Sequence, residues 1–384
     1  MLFFLQNFAT YTNLAAVIAF VVSFVPSYCL GADKVDINRE DIIRAWISRQ
    51  SSVRAFDFLW TGEKNGAIDD LDYTPNEEPP GSIRPPDRAS FRVEFRLAID
   101  ERGRTLLDYT GKTWNFAKGE LIPKRVIDIY DGNARTIFFP DGTGSLRYPN
   151  AAIERRRENS TDVLRSHNLA LPIALIYRPF NENSWPLDKD KLTLTTEKGI
   201  ADQNLCLILK YQKGIGMESF IWIDPNKGFL PVRLFEYSSG VLEHSLYITY
   251  STDERDGWLP SSWRDVWSYP NGKLKGQIYS TETAETTKCK INVPIDGSSF
   301  EVQFPSGTWV HNYYTEKEYI VRDGGDIRPI LPGEYNGTNY EQLLHSNPPR
   351  LLRKWLGGLI VIICTISISI FGYRYYRRLL QARR

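Results

Sequence analysis

Apolar residues in this chain recur at every second position. Phe91, Val93, Phe95 and Leu97 alternate with Arg92, Glu94 and Arg96. A period of two puts each set on one face of a strand, so this segment reads as a half-buried strand with a wet outer face. Phe56, Phe58 and Trp60 share the pattern, as do Leu205, Leu207, Leu209 and Tyr211. So do Leu242, Leu246, Ile248 and Tyr250, and later Phe300, Val302 and Phe304. The dipeptides Asp131-Gly132, Asp141-Gly142, Asn271-Gly272 and Asp296-Gly297 punctuate these runs. Such pairs supply the positive φ of tight hairpins. The first two lie ten residues apart, one strand plus one turn. That spacing favours an antiparallel meander over βαβ units. The expected fold is mainly β, a curved antiparallel sheet.

Two helices are expected beside it. Asn38 is a good N-cap, Asp41 sits at N3, and Ile37 and Ile42 hold the staple positions. Ile42, Ile43, Trp46 and Ile47 then form one apolar face of a helix over 39–50. The stretch 161–177 reads as helical, interrupted at Pro172 and stopped before Pro179. Residues 63–88 hold five prolines and seven acidic residues, the composition of a flap between strands. Residues 323–354 read as a stalk, of which 323–349 is rich in Gly, Pro and Asn. As a flexible coil that linker would reach roughly 30 Å.

The ends carry an address. Leu14–Phe24 is continuously apolar and small residues follow, so 1–32 reads as a signal peptide. No basic residue precedes the apolar run, which leaves an uncleaved anchor as the alternative. The residues before Cys29 do not resemble a lipobox. Residues 355–373 are uncharged and would span roughly 28 Å as a helix, close to a hydrocarbon core. Three basic residues precede that segment and five follow it, in the tail 374–384. The excess favours a cytoplasmic C-terminus, with residues 33–322 as an extracytoplasmic, periplasmic domain. The expected partners are therefore the membrane, crossed once, and an envelope lipid or protein.

Net charge hides an asymmetry. The whole chain is +1, but residues 350–384 carry eight basic and no acidic side chains. Residues 33–349 hold 39 basic and 46 acidic side chains. An acidic middle is a poor nucleic-acid binder, because phosphate contacts need clustered basic residues.

No chemistry is legible. His167, His244, His311 and His345 have no second His or Cys at metal-ligand spacing. There is no nucleophile elbow, Walker loop or dinucleotide fingerprint. No cofactor, metal or catalytic residue is expected, and the chain reads as a non-enzyme. His244 falls in the apolar phase of its strand, as a satisfied core histidine does. Cys206 and Cys289 could pair in an oxidising compartment or stand as separate core residues. The aromatic residues gather on single faces of strands. Trp46, Phe56, Phe58, Trp60, Phe91, Val93, Phe95 and Leu97 are the candidates for one aromatic wall. Trp222, Trp258, Trp263, Trp267 and Trp309 add to the aromatic set. Such a wall is either a packed core or the lining of an apolar cavity.

Trp222-Ile223-Asp224-Pro225, followed by Phe229-Leu230-Pro231-Val232-Arg233, resembles a strand-turn-strand of the bacterial LolA/LolB/RseB-type proteins. Asn292 and Pro294, then Phe300, then Pro305 and Gly307 are similar to the closing strands of that family. The resemblance implies an open, strongly curved half-barrel closed by helices. It also implies a concave side that holds acyl chains or senses envelope lipids and proteins. The expected function is thus a membrane-tethered binding or sensing domain for lipid or envelope lipoprotein. A protein-contact subunit is the alternative, and an envelope hydrolase a third reading.

Overall fold

The computed structural model describes residues 37–66, 88–115, 118–142, 148–155, 170–180, 187–331, 334, 340–346, 370 and 372. Its centre is one open sheet of sixteen strands with a mainly antiparallel path. The first run is β1 (Phe56–Gly66), β2 (Ala89–Ile99), β3 (Thr105–Asn115), β4 (Glu120–Tyr130), β5 (Ala134–Phe139) and β6 (Asn150–Arg155). The second run is β7 (Leu192–Ala201), β8 (Asn204–Gly214), β9 (Met217–Asp224), β10 (Leu230–Ser238), β11 (Val241–Asp253), β12 (Gly257–Ser268) and β13 (Ile278–Ile291). Each run is a meander whose neighbours in sequence pair in space, and β1 joins the two by pairing with both β2 and β13. Three short strands complete the sheet: β14 (Trp309–Asn312), β15 (Lys317–Val321) and β16 (Ile327–Pro329).

The expectation of an all-antiparallel sheet needs one correction. β14 pairs with β6 in parallel, so the sheet is mixed. After β13 the chain passes to the far side of β6, where β14 is added.

Three helices are described: α1 (Arg39–Ser52), α2 (Leu171–Tyr177) and α3 (Tyr340–His345). α1 runs two residues past the expected end and buries Ile42, Ile43 and Trp46. Trp46 Nε1 donates to Phe229 O at 2.6 Å, which fixes the helix against the start of β10. All seven residues of α2 are buried, as in a helix surrounded by core. Pro172 lies in its first turn instead of interrupting it. Proline costs nothing there, because that N–H has no partner within the helix.

Turn chemistry follows the sequence at three of four dipeptides. Gly132, Gly142 and Gly272 take positive φ. At Asp296-Gly297 the aspartate instead caps a short 3-10 helix, Gly297–Phe300, by accepting from Ser298 N. Phe300, Val302 and Phe304 also do not form a strand. Phe300 is buried with Ala98, Leu106 and Ile129, and Phe304 meets Phe138 edge-on at 5.5 Å. This segment crosses the sheet with alternate residues against it, so the period of two reports burial and not pairing. Leu205 and Leu242 stand exposed, and the ladder beside Leu242 shifts register between Glu236 and Tyr237.

Parts of the expected flap 63–88 and stalk 323–354 are regular elements. Glu63–Gly66 still belongs to β1, and residues 67–87 lie outside the described set. Within 323–331, Ile327–Pro329 forms β16 and pairs with β15. Farther on, α3 buries Leu343 against Trp309 and Ile320. Arg328 anchors this part: it is buried and donates to Glu334 at 2.7 Å and to Ser346 O at 3.0 Å. Among the described residues no helix is long and apolar enough to cross a membrane. The signal segment 1–32, the span 355–373 and the tail 374–384 fall outside them, apart from residues 370 and 372.

Candidate functional site

The wall residues Trp46, Phe56, Phe58, Trp60, Phe91, Val93, Phe95 and Leu97 are all buried. Register explains how β1 and β2 merge their sets, since Phe58 faces Leu97 and Trp60 faces Phe95. Trp60 and Phe95 stack at 5.1 Å with planes 3° apart. Tyr109 of β3 meets Phe95 at 4.7 Å, and Trp263 of β12 meets Trp60 at 5.4 Å. Tyr177 of α2 closes on the other end, 5.7 Å from Phe56 and 5.6 Å from Phe58. Trp46 leans on Phe180 at 5.9 Å. Trp222 and Trp258 do not join the wall. Trp222 lies on the opposite face beneath the Arg233 guanidinium, 4.9 Å away, and Trp258 is exposed.

A row of charged groups, with Glu236, His244, Asp265 and Glu282 buried, runs along the same inner face. Lys64 Nζ lies 2.6 Å from Glu282, its register partner on β13. Glu282 in turn faces Asp265 on β12. Asp265 Oδ1 is 2.6 Å from His244 Nε2, and Glu236 Oε2 is 2.8 Å from His244 Nδ1. Glu236 also accepts from Lys213 at 2.8 Å and from Ser219 at 3.1 Å. The His244 ring stacks on Trp267 at 4.0 Å. Burial works against a charged imidazole, but Asp265 and Glu236 outweigh it and raise the pKa to about 9. Burial likewise opposes the Glu236 carboxylate, yet His244 and Lys213 hold it at about 2. Protonated His244 therefore bridges two carboxylates across three strands. Buried between Asp265 and Glu236, it clamps their two charges together. Lys124 of β4 is pulled down to about 8, by burial and then by Lys64.

Six buried polar atoms near these groups have no hydrogen-bond partner among the described residues. They are Trp60 Nε1, Trp263 Nε1, Trp267 Nε1, Tyr177 Oη, Asp265 Oδ2 and Ser280 Oγ. Folded proteins satisfy most such atoms with protein or water, and each exception calls for an explanation. Here five of the six fall on β1, β12 and β13, beside the aromatic wall. The set offers three indole donors, two hydroxyl groups and a carboxylate oxygen. No group of three His, Cys, Asp or Glu among the described residues could hold a metal ion.

The sequence puts the wall residues and His244 in the apolar phase of their strands, the latter as a core histidine, but does not single out Lys64, Glu236, Asp265 or Glu282. The available signal was a charged residue in the apolar phase of a strand: Asp265 between Trp263 and Trp267, Glu236 after Leu234. The family-like motifs take structural roles. Asp224 caps the short 3-10 helix starting at Pro225 and accepts from Asn204 at 2.9 Å. Pro231 O receives the Tyr250 hydroxyl. Asn292 Oδ1 accepts from Arg54 N at 2.8 Å while its Nδ2 donates to Ser52 O at 2.8 Å, tying the end of α1 to β13. Pro294 is exposed and Phe300 buried. Pro305 O accepts the Thr308 hydroxyl at 2.7 Å in a turn that needs Gly307 at φ 86°. Cys206 and Cys289 are both free thiols. Four strands separate β8 from β13, so their backbones lie about 24 Å apart at the usual spacing, far beyond disulfide reach.

No protein-family model matches this chain, and no curated protein matches it. It is similar to solved structures of the LolA-like kind. One, from Vibrio parahaemolyticus, is described as an outer membrane lipoprotein-sorting protein domain; it is 10% identical, with 69% of this chain and 97% of that chain covered and a TM-score of 0.39. The LolA superfamily protein NE2245 from Nitrosomonas europaea is 10% identical over 69% of this chain and 98% of its own, with a TM-score of 0.36. The Pseudomonas aeruginosa MucA/MucB complex matches at 7% identity over 67% and 99%, with a TM-score of 0.22. Scores at this level carry no argument about function, which rests on the chain's own residues.

Proposed function

We propose that the inner face is a binding or sensing site for an amphiphile with an acyl chain, a lipid or the lipid anchor of an envelope lipoprotein. The observation that carries the reading is the pairing of an aromatic wall with unpartnered indole N–H groups. An apolar chain lies on the wall, and its ester or amide oxygens take the indole donors. The chain is read as an extracytoplasmic, non-catalytic domain tethered by residues 355–373, on the apolar run and its basic flanks. The test is photo-crosslinking of a diazirine-bearing palmitate to the full chain in membranes, with adducts mapped by mass spectrometry. Adducts on β1, β2 and β12 are expected. Adducts confined to 355–373 would refute the reading.

A protein-contact role is the second reading, and one observation favours it. Ile200 and Leu205 face each other across β7 and β8 at the sheet edge, 63% and 54% exposed. Apolar pairs so placed are unusual unless another chain covers them. Cross-linking that captures a protein through Leu205 in place of lipid on the wall would favour this role.

A further inference from the structure

The opposite face of the sheet carries a second site. A trough of about 670 Å³ crosses five strands, β2, β1, β13, β12 and β11. That is within the usual size of ligand sites, roughly 300–1,000 Å³. Its floor is made of short hydroxyl side chains: Thr61, Ser90, Thr249, Ser262 and Thr283. Gly62, between Thr61 and Glu63, contributes to the lining, and its backbone runs so close to Thr283 O that a Cβ would stand 2.0 Å from it. Register places these residues side by side, with Glu63 opposite Thr283, Thr61 opposite Glu285 and Thr249 opposite Ser262.

The walls are charged and balanced: Arg92 and Arg264 against Glu63 and Glu285. Glu63 accepts from Ser90, and Arg92 lies 3.6 Å from Glu94. Arg264 and Glu285 are exposed and make no ion pair among the described residues, so their donors and acceptors face the trough unspent. A site with two cations and two anions gives no net attraction to a polyanion or a polycation.

One end is aromatic. Tyr247 lines the trough and is 37% exposed. Phe235 holds its ring edge-on at 5.8 Å, and Arg233 lies 5.7 Å from it. Beyond Tyr247 the same face continues as half-buried rings, with Phe235 and Trp222 5.7 Å apart.

We infer that this trough binds a neutral glycan chain. A sugar ring presents hydroxyls at its rim and an apolar C–H surface on its faces. The rim matches a floor of groups that both donate and accept, flanked by guanidinium and carboxylate forks. The C–H face matches the exposed Tyr247 ring. Charge balance selects an uncharged chain. The inference uses the face opposite the acyl-chain site and stands independently of it.

Affinity electrophoresis of the full chain in mild detergent tests it. The gels carry hydroxyethyl cellulose, soluble chitin, dextran or pullulan, with polygalacturonate and heparin as anionic controls. At least one neutral polysaccharide retards the wild type. Tyr247→Ala weakens that retardation about tenfold, and Glu285→Gln weakens it with no change in thermal midpoint, while Lys288→Ala does not. Retardation by the anionic polymers alone, by none of the six, or equally in wild type, Tyr247→Ala and Glu285→Gln overturns the inference.

Discussion

His244 and Asp265 lie across the β11–β12 ladder with Nε2 and Oδ1 2.6 Å apart, and neither side chain touches solvent. The pair is completed by Glu236 on the far side of the ring. Removing one member of such a buried arrangement leaves a charge without its partner, which costs about 3–5 kcal/mol. Asp265→Ala is expected to lose that much in urea unfolding. A loss under about 1 kcal/mol would mean that the clamp is dispensable.

The same clamp sets a pH profile. The His244 pKa is higher in the folded chain, about 9 against an ordinary 6.5. Its stabilisation is therefore complete below about pH 6.5 and disappears as pH rises through 9. The Glu236 pKa is lower, about 2 against 4.5, so its share is complete above about pH 4.5 and disappears as pH falls through 2. The thermal midpoint should peak between these limits. In His244→Gln the decline between pH 6.5 and 9 should flatten; an unchanged decline would assign it to other groups.

Phe95 is held between Trp60 and Tyr109. Phe95→Leu keeps the site apolar but removes ring volume, and a cost of about 1–3 kcal/mol is expected from the residual void. Bound acyl chain should recover part of the loss if the ligand fills that volume. A midpoint that does not respond to palmitate in either protein would argue for solid core.

Asn292 combines three tasks: a positive φ of 54°, two accepted N–H bonds and one donated bond. Asn292→Ala should cost about 2 kcal/mol, from lost hydrogen bonds and left-handed backbone strain. Asn292→Gly should cost less, since only the bonds are lost. Equal unfolding midpoints for the two variants would show that the backbone conformation contributes nothing.

Neither thiol should form a bridge. Non-reducing and reducing gels of the full chain are expected to be identical, with Cys206 and Cys289 both alkylated after denaturation. Before denaturation Cys289 should react slowly, because burial and then Asp256 and Asp253 push its pKa up to about 12. Fast alkylation of the folded chain would contradict its placement on β13.

Strand content was legible because period two and turn dipeptides are local. The inward phase of Phe91, Val93, Phe95 and Leu97 could be read without knowing any neighbour. Pairing could not, because β1 lies between β2, which follows it, and β13, more than two hundred residues later. Phe300 to Phe304 shows the same limit, since an extended segment laid across a sheet alternates as a strand does. Asp265 and Glu236 were passed over among many acidic residues. Their role depends on His244, which only the fold brings to them. The trough was illegible for a related reason: hydroxyl residues spaced along five strands look like ordinary solvated faces until register aligns them.

The parallel pair of β6 and β14 has a consequence for biosynthesis. Trp309 pairs with Asn150, 159 positions earlier. Until the chain is made through β14, the outer edge of β6 has no partner within the molecule. An open edge is a template for joining another nascent chain, and long-range closures of this kind are slow. The segment β14–β16, with α3 docked upon it, works as an edge guard delivered last. A copy truncated after β13 should keep both meanders and yet aggregate, through an edge that the finished protein never shows.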